Sequence, residues 1–174
     1  MNKKVYDSPV LELFFNDSEA RLHIREIARQ TGLHPNTVLR DAKMLSKEAL
    51  LTMRRTRAVL EVNANIDNPR FTQLKRLHNL KCIILSGLVE FLNVEYSAPQ
   101  AIILFGSYSR GEDVSKSDID IAIVTQRRMA LEFTRFEKLL MRHIQITEVD
   151  LKKIGKNLLA NLANGIVLKG YLAL

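Results

Sequence analysis

Residues 105–124 read FGSYSRGEDVSKSDIDIAIV. Their approach, Gln100-Ala-Ile-Ile-Leu-Phe-Gly106, is a run of apolar β-formers closed by glycine, the pattern of a strand buried on both faces. Gly106 and Ser107 then turn the chain. Backbone N–H groups at a strand-to-helix turn point outward and suit the terminal phosphates of a nucleotide. Glycine lets a phosphate approach closely, and the Ser107 hydroxyl adds a donor. Twelve residues on, SDIDIAIV alternates. Asp118 and Asp120 share one face while Ile119, Ile121 and Ile123 pack on the other. Two strand residues separate equivalent side chains by about 6.5 Å. Carboxylates that close raise each other's pKa, and a divalent cation removes the conflict. Mg2+ (or Mn2+) takes this ligation, with a couple of carboxylates, waters and phosphate oxygens.

The rest of the chain sets bounds on that chemistry. At 174 residues it has room for one ordinary domain or two small ones. Charged residues make up 26% and hydrophobic ones 47%, a globular balance. A net charge of +7 permits a polyanionic partner. Cys82 is the single cysteine, which excludes an internal disulfide framework and a thiolate metal cluster. His23, His34, His78 and His143 do not pair at metal-ligand spacing. The start, MNKKVYDSPVLELFF, is too polar for a signal peptide, and no apolar run approaches the roughly 20 residues of a membrane span. The expectation is a cytoplasmic protein without a membrane segment.

The texture changes at NANIDNPRF (63–71), where loop chemistry precedes Pro69 at a helix start. A boundary there gives domains 1–66 and 67–174. In the first, Val10–Phe15 reads as a short helix, RLHI as an extended piece, and REIARQTG as a helix stopped by Gly32. PNTVLRDAKMLSKEAL then opens at Pro35 with Val38, Leu39, Met44 (or Ala42) and Leu45 inward. LLTMRRTRAVLEVNAN reads as two strands around a basic turn. Helix, turn, helix and basic hairpin is the winged helix-turn-helix plan, and residues 8–64 resemble the ArsR/MarR-type superfamily. Such a recognition helix would turn Asn36, Thr37, Arg40 and Lys43 toward a DNA groove, with Arg54, Arg55 and Arg57 meeting phosphates. Residues 1–64 hold eleven Lys/Arg against eight Asp/Glu, a mild +3. The alternative use of such a module is protein contact or dimerisation.

A leading helix is expected over 70–95, with Leu74, Leu77, Ile84, Leu88 and Phe91 on one packing stripe and Leu85 and Leu92 widening it. Beyond it, Gly106-Ser107, Arg110-Gly111 and Ser117-Asp118-Ile119-Asp120 resemble the signature of the polymerase β-like nucleotidyltransferase superfamily, most closely its minimal branch. Ser109 stands where that motif has alanine. The resemblance covers about residues 70–170. It implies an α+β fold, a mixed sheet with helices on one side, following a winged helix-turn-helix. It also implies a nucleoside triphosphate, ATP in the first instance, held with Mg2+ between Gly106-Ser107 and the aspartates. Asp118 and Asp120 would be the catalytic metal ligands, and Arg110 a further phosphate or capping residue.

The reaction implied is in-line attack on the α-phosphorus, transferring a nucleoside monophosphate to an acceptor hydroxyl. It needs a third carboxylate from a later strand, read here as HIQITEV (143–149). The matching position falls nearest Gln145, which is neutral. Glu148 lies on the alternate face, and Asp150 is expected to cap the helix that follows. Two readings therefore stand. One is a transferase acting on a macromolecule, the resemblance allowing a protein acceptor such as a companion toxin. The other is a DNA-binding regulator or antitoxin whose degenerate transferase fold senses nucleotide or forms a homodimer.

Overall fold

The structure is a computed structural model and describes residues 7–56 and 59–172. Among these are eight helices and seven strands, and the chain divides into two compact units, Met1–His78 and Asn79–Leu174. The sequence boundary at 66/67 lies in the loop before Pro69, whereas this division falls inside a helix.

The first unit starts at α1 (Pro9–Asn16), where the Ser8 hydroxyl accepts from the Val10 N–H at 3.3 Å and Pro9 occupies the first turn. A short strand, β1 (Arg21–His23), leads into α2 (Ile24–Thr31), which stops at Gly32 with φ 71°. Then come α3 (Pro35–Lys47), β2 (Leu51–Arg55) and β3 (Leu60–Ala64). Strand β3 is central, antiparallel to both neighbours, with Val62 opposite Leu22 on one side and Met53 on the other. That apolar row closes a core of Leu11, Phe14, Ile27, Val38 and Leu45. On α3 the inward residue left open in sequence is Ala42, fully buried, while Met44 is half-buried. Val38, Ala42 and Leu45 follow the helical repeat, which explains the choice.

The expected helix over 70–95 is instead two: α4 (Pro69–Ser86) and α5 (Leu88–Glu95), bent by 54°. Gly87 sits at φ 75° between them. The Ser86 hydroxyl donates to the Ile83 carbonyl at 2.7 Å and accepts from the Leu88 N–H at 3.2 Å, closing one helix and opening the next. The break also splits the expected stripe. Leu88 and Leu92 are buried, but Leu77, Ile84 and Leu85 are 62%, 54% and 74% exposed. No single helix among the described residues is long and apolar enough to cross a membrane; the bent pair qualifies by length and composition only, and α5 buries Leu88, Val89 and Leu92 in a core.

The second unit is a four-stranded mixed sheet in the order β6-β5-β4-β7. Strand β4 (Ala101–Phe105) runs antiparallel to β5 (Ile119–Val124) and to β7 (Ile166–Gly170), and β5 runs parallel to β6 (Ile144–Val149). Helix α6 (Gly106–Arg110) follows β4, α7 (Thr134–Leu140) lies in the β5–β6 crossover, and α8 (Lys156–Ala163) precedes β7. Alternation splits the strands between two cores. Ile102, Leu104, Ile119, Ile121 and Ile123 pack against α5 and Phe136 of α7. Ala101, Ile103, Ala122, Val124 and Val149 pack against Leu158 and Leu162 of α8. Helices thus flank both faces rather than one, because the central strands are apolar at every position after Asp120 and each face needs a cover. Asp150 does not cap α8. Its Oδ1 accepts from the Lys152 N–H at 3.0 Å in a separate turn, and α8 starts at Lys156, behind Gly155.

Candidate functional site

Asp118 ends the loop before β5, and Asp120 is the second residue of that strand. In the antiparallel β4–β5 register Asp120 lies opposite Phe105, so the chain leaves β4 at Gly106 directly beside the Asp120 carboxylate. Gly106 has φ 72°, and Asp120 Oδ2 occupies the space a Cβ at Gly106 would need. Any side chain here would expel the carboxylate as well as strain the backbone. The glycine read in sequence as a phosphate cradle here lets the turn and the acid touch. Ser107 is half-buried in the first turn of α6, whose start no side chain caps. Ser109, in the place of the motif's alanine, donates its hydroxyl to the Gly106 carbonyl at 2.8 Å and is buried.

Burial pushes the Asp120 carboxyl above the ordinary carboxylate range, and the neighbouring Asp118 charge pushes it further. Among the described residues neither acid accepts a hydrogen bond or enters an ion pair. Two hard oxygen donors, one destabilised in its charged form by the other and neither neutralised by a lysine or arginine, fit a divalent cation that shares its shell with phosphate oxygens. No described group of three or more His, Cys, Asp or Glu residues is gathered for a metal. Arg110 is exposed, and its Nε donates to Glu112 Oε2 at 2.6 Å, so it would have to leave that pair to meet a phosphate.

The two candidates for a third carboxylate part company. Gln145 is paired with Asp120 across the parallel β5–β6 register, hence on the same face beside it. Glu148 is paired with Ile123, three residues along and on the opposite face. Its carboxylate accepts from the Tyr96 hydroxyl at 2.9 Å and the Met129 N–H at 2.7 Å, with Arg128 at 3.5 Å. Burial raises the Tyr96 phenol, and the bond to Glu148 raises it further. The position beside the aspartates is thus filled by a neutral amide, and the nearby glutamate is committed to bracing the far end of the strand.

Residues 88–172 match the family model described as polymerase beta, nucleotidyltransferase. The match spans just under half of the chain and supports the nucleotidyltransferase superfamily for this segment. No curated protein and no solved structure matches the chain.

Sequence reasoning missed the buried contacts of the loop between the Gly106 turn and the two aspartates. Asp113, in the spacer between Gly111 and Asp118, is 1% exposed. It faces Arg142 with Nη2 to Oδ2 at 3.5 Å, and its Oδ1 accepts from the Asn79 amide at 2.7 Å. Two adjacent acids between the motif halves, Glu112 and Asp113, were the available signal; nothing in the sequence tied the second to an arginine 29 residues away. A second unforeseen contact joins His143 Nδ1 to Glu137 Oε1 at 2.6 Å, and the same oxygen accepts from the Ile144 N–H at 3.0 Å. The Ile144 bond, with His143 adding to it, holds the Glu137 carboxyl below its ordinary range.

In the first unit Asn36, Arg40 and Lys43 are exposed on α3 and Thr37 is half-buried. Arg40 Nε lies 3.2 Å from Asp41 Oδ1. Arg54 and Arg55 are exposed at the end of β2, and Arg57 lies outside the described residues. His23 and His34, unassigned from sequence, cap α2 and α3, each accepting a backbone N–H at Nδ1.

Proposed function

We propose that the second unit binds a nucleoside triphosphate with Mg2+ or Mn2+ and transfers its nucleoside monophosphate to a macromolecular hydroxyl, and that the first unit is a winged helix that binds double-stranded DNA. One observation carries the reading of the second unit: Asp120 stands against the glycine that begins α6 with the Asp118 charge acting on it, and neither acid has a countercharge among the described residues. Asp118 and Asp120 would hold the cation, and Gly106 with Ser107 would receive the triphosphate. When bound, the cation would neutralise developing charge on the phosphate oxygens. For the first unit, the support is the order α2-α3-β2-β3 with Asn36, Arg40, Lys43, Arg54 and Arg55 exposed on the helix and hairpin that such domains present to DNA.

A second reading, a DNA-binding regulator or antitoxin that senses nucleotide without efficient transfer, is favoured by Gln145. An amide beside Asp120 can complete a binding shell but cannot take a proton from an acceptor hydroxyl. Incubation with each α-labelled nucleoside triphosphate and Mg2+ or Mn2+, scored for label on copurifying protein or RNA, tests the first reading. Nucleotide binding without any label transfer moves the conclusion to the second. Gln145→Asp discriminates further. As a restored third carboxylate it should raise transfer by about tenfold or more, whereas an unchanged rate would show that the missing acid is not what limits the reaction.

A further inference from the structure

The network around Asp113 reaches both halves of the proposed nucleotide site. The Asn79 side-chain amide donates to the Tyr108 carbonyl at 2.9 Å, at the heart of α6, and to Asp113 Oδ1 at 2.7 Å. Arg142 approaches the other carboxylate oxygen, and its Nη1 donates to the Ser115 carbonyl at 3.0 Å. From there the loop is tied in a tight turn, Ser117 Oγ accepting from the Val114 N–H at 3.0 Å and the Ser117 N–H donating to the Val114 carbonyl at 2.9 Å. Asp118 is the next residue. Immediately after it the Ile119 N–H donates to the His143 carbonyl at 2.8 Å, one residue beyond Arg142.

We infer that the buried Asp113–Arg142 pair is a positioning device that sets the spacing between the phosphate-binding turn at Gly106-Ser107 and the metal ligand Asp118. The inference rests on the proposed nucleotide and cation site and adds residues that touch neither ligand. Three features support a role beyond filling space. The pair is almost fully desolvated, Arg142 being 8% and Asp113 0% exposed at the side chain, and such a pair is a poor source of stability compared with apolar packing. Arg142 reaches the Ser115 carbonyl in the loop before Asp118, while Asn79, bonded to Asp113, reaches the Tyr108 carbonyl in α6 behind the Gly106 turn. Asp113 comes from the spacer, Arg142 from the α7–β6 connection and their partner Asn79 from α4, so the network references the site to three elements of the chain. A site that must hold metal and triphosphate together needs that spacing fixed to a fraction of an ångström.

The test is a Mg2+ titration of ATP and GTP binding at a temperature well below unfolding, on the full chain, with Asp113→Asn and Arg142→Lys. Asp113→Asn keeps the shape and the Asn79 contact but removes the charge that orients the guanidinium; Arg142→Lys keeps the charge but loses the fork that bridges Asp113 to Ser115. Both variants should fold. The Mg2+ midpoint for nucleotide binding should rise about tenfold in each, the usual scale for residues behind a metal ligand. Lowered melting temperatures with an unshifted Mg2+ midpoint would overturn the inference, because a purely structural pair changes stability and leaves the metal requirement alone. Loss of Mg2+-dependent binding in Asp118→Asn but wild-type midpoints in both pair variants would refute the positioning role while leaving the site itself standing. Absence of Mg2+-dependent binding in the wild-type chain would remove both.

Discussion

Asp120 holds its proton more tightly in the folded chain than in the unfolded one, since burial and the charge on Asp118 both oppose ionisation. The native state therefore binds more protons than the unfolded state above the ordinary carboxylate value of 3.8, and stability falls as pH rises from there through the raised folded value. A cation at the pair reverses the penalty. Stabilisation by Mg2+ should accordingly grow with pH across that window, and Asp120→Asn should abolish both the slope and the Mg2+ effect; a pH-independent Mg2+ shift in melting temperature would place the cation elsewhere. Gly106 gives a sharper test of the same contact. Gly106→Ala should cost about 2 kcal/mol or more from the left-handed backbone and the collision with the Asp120 carboxylate. In an Asp120→Ala background the collision is gone and the backbone cost remains, so the two substitutions should be non-additive in urea unfolding. Additivity would show that the turn and the acid are independent.

At the scale of elements, α4 buries Phe71, Lys75, Asn79 and Ile83, and a break at Gly87 separates it from α5. The periodic stripe from Leu74 to Leu92 was legible, yet continuing one helix through Gly87 predicted burial for Leu77, Ile84 and Leu85 that the structure does not give them. The reason for the break is local. Ser86 offers the backbone a competing hydrogen-bond partner, and glycine accepts the left-handed conformation at little cost. Gly87→Ala should lose about 1 kcal/mol through the backbone alone, because the space around its α-carbon is open. A larger loss in thermal unfolding would mean that α5 is repositioned rather than strained. The parallel β5–β6 pairing has a matching lesson. Sequence alternation placed Gln145 and Glu148 on opposite faces, but which face met Asp120 depended on register, and register is set by Ile119 against Ile144.

For the whole molecule, the proposed DNA-binding role makes an ionic-strength prediction. Arg55→Ala should weaken duplex DNA binding alike for all sequences and lower the log–log salt slope by roughly one unit; an unaltered slope would assign the β2–β3 hairpin to protein contact. Short-range chemistry was enough to reveal the glycine turn after an apolar strand, the alternating aspartates, and a helical first unit ending in a hairpin, because each is written in neighbouring residues. Contacts between distant residues were not written there. That Asp120 lies against Gly106, that Gln145 rather than Glu148 stands beside it, that Glu148 serves Tyr96, and that Asp113 meets Arg142 all depend on strand pairing and burial across 14 to 52 residues of chain. The sequence by itself determined the glycine turn after an apolar strand and the two aspartates that are proposed for a triphosphate and a cation. Only the tertiary structure decided which of them meet, since long-range pairing is selected by packing the whole sheet between its two layers of helices.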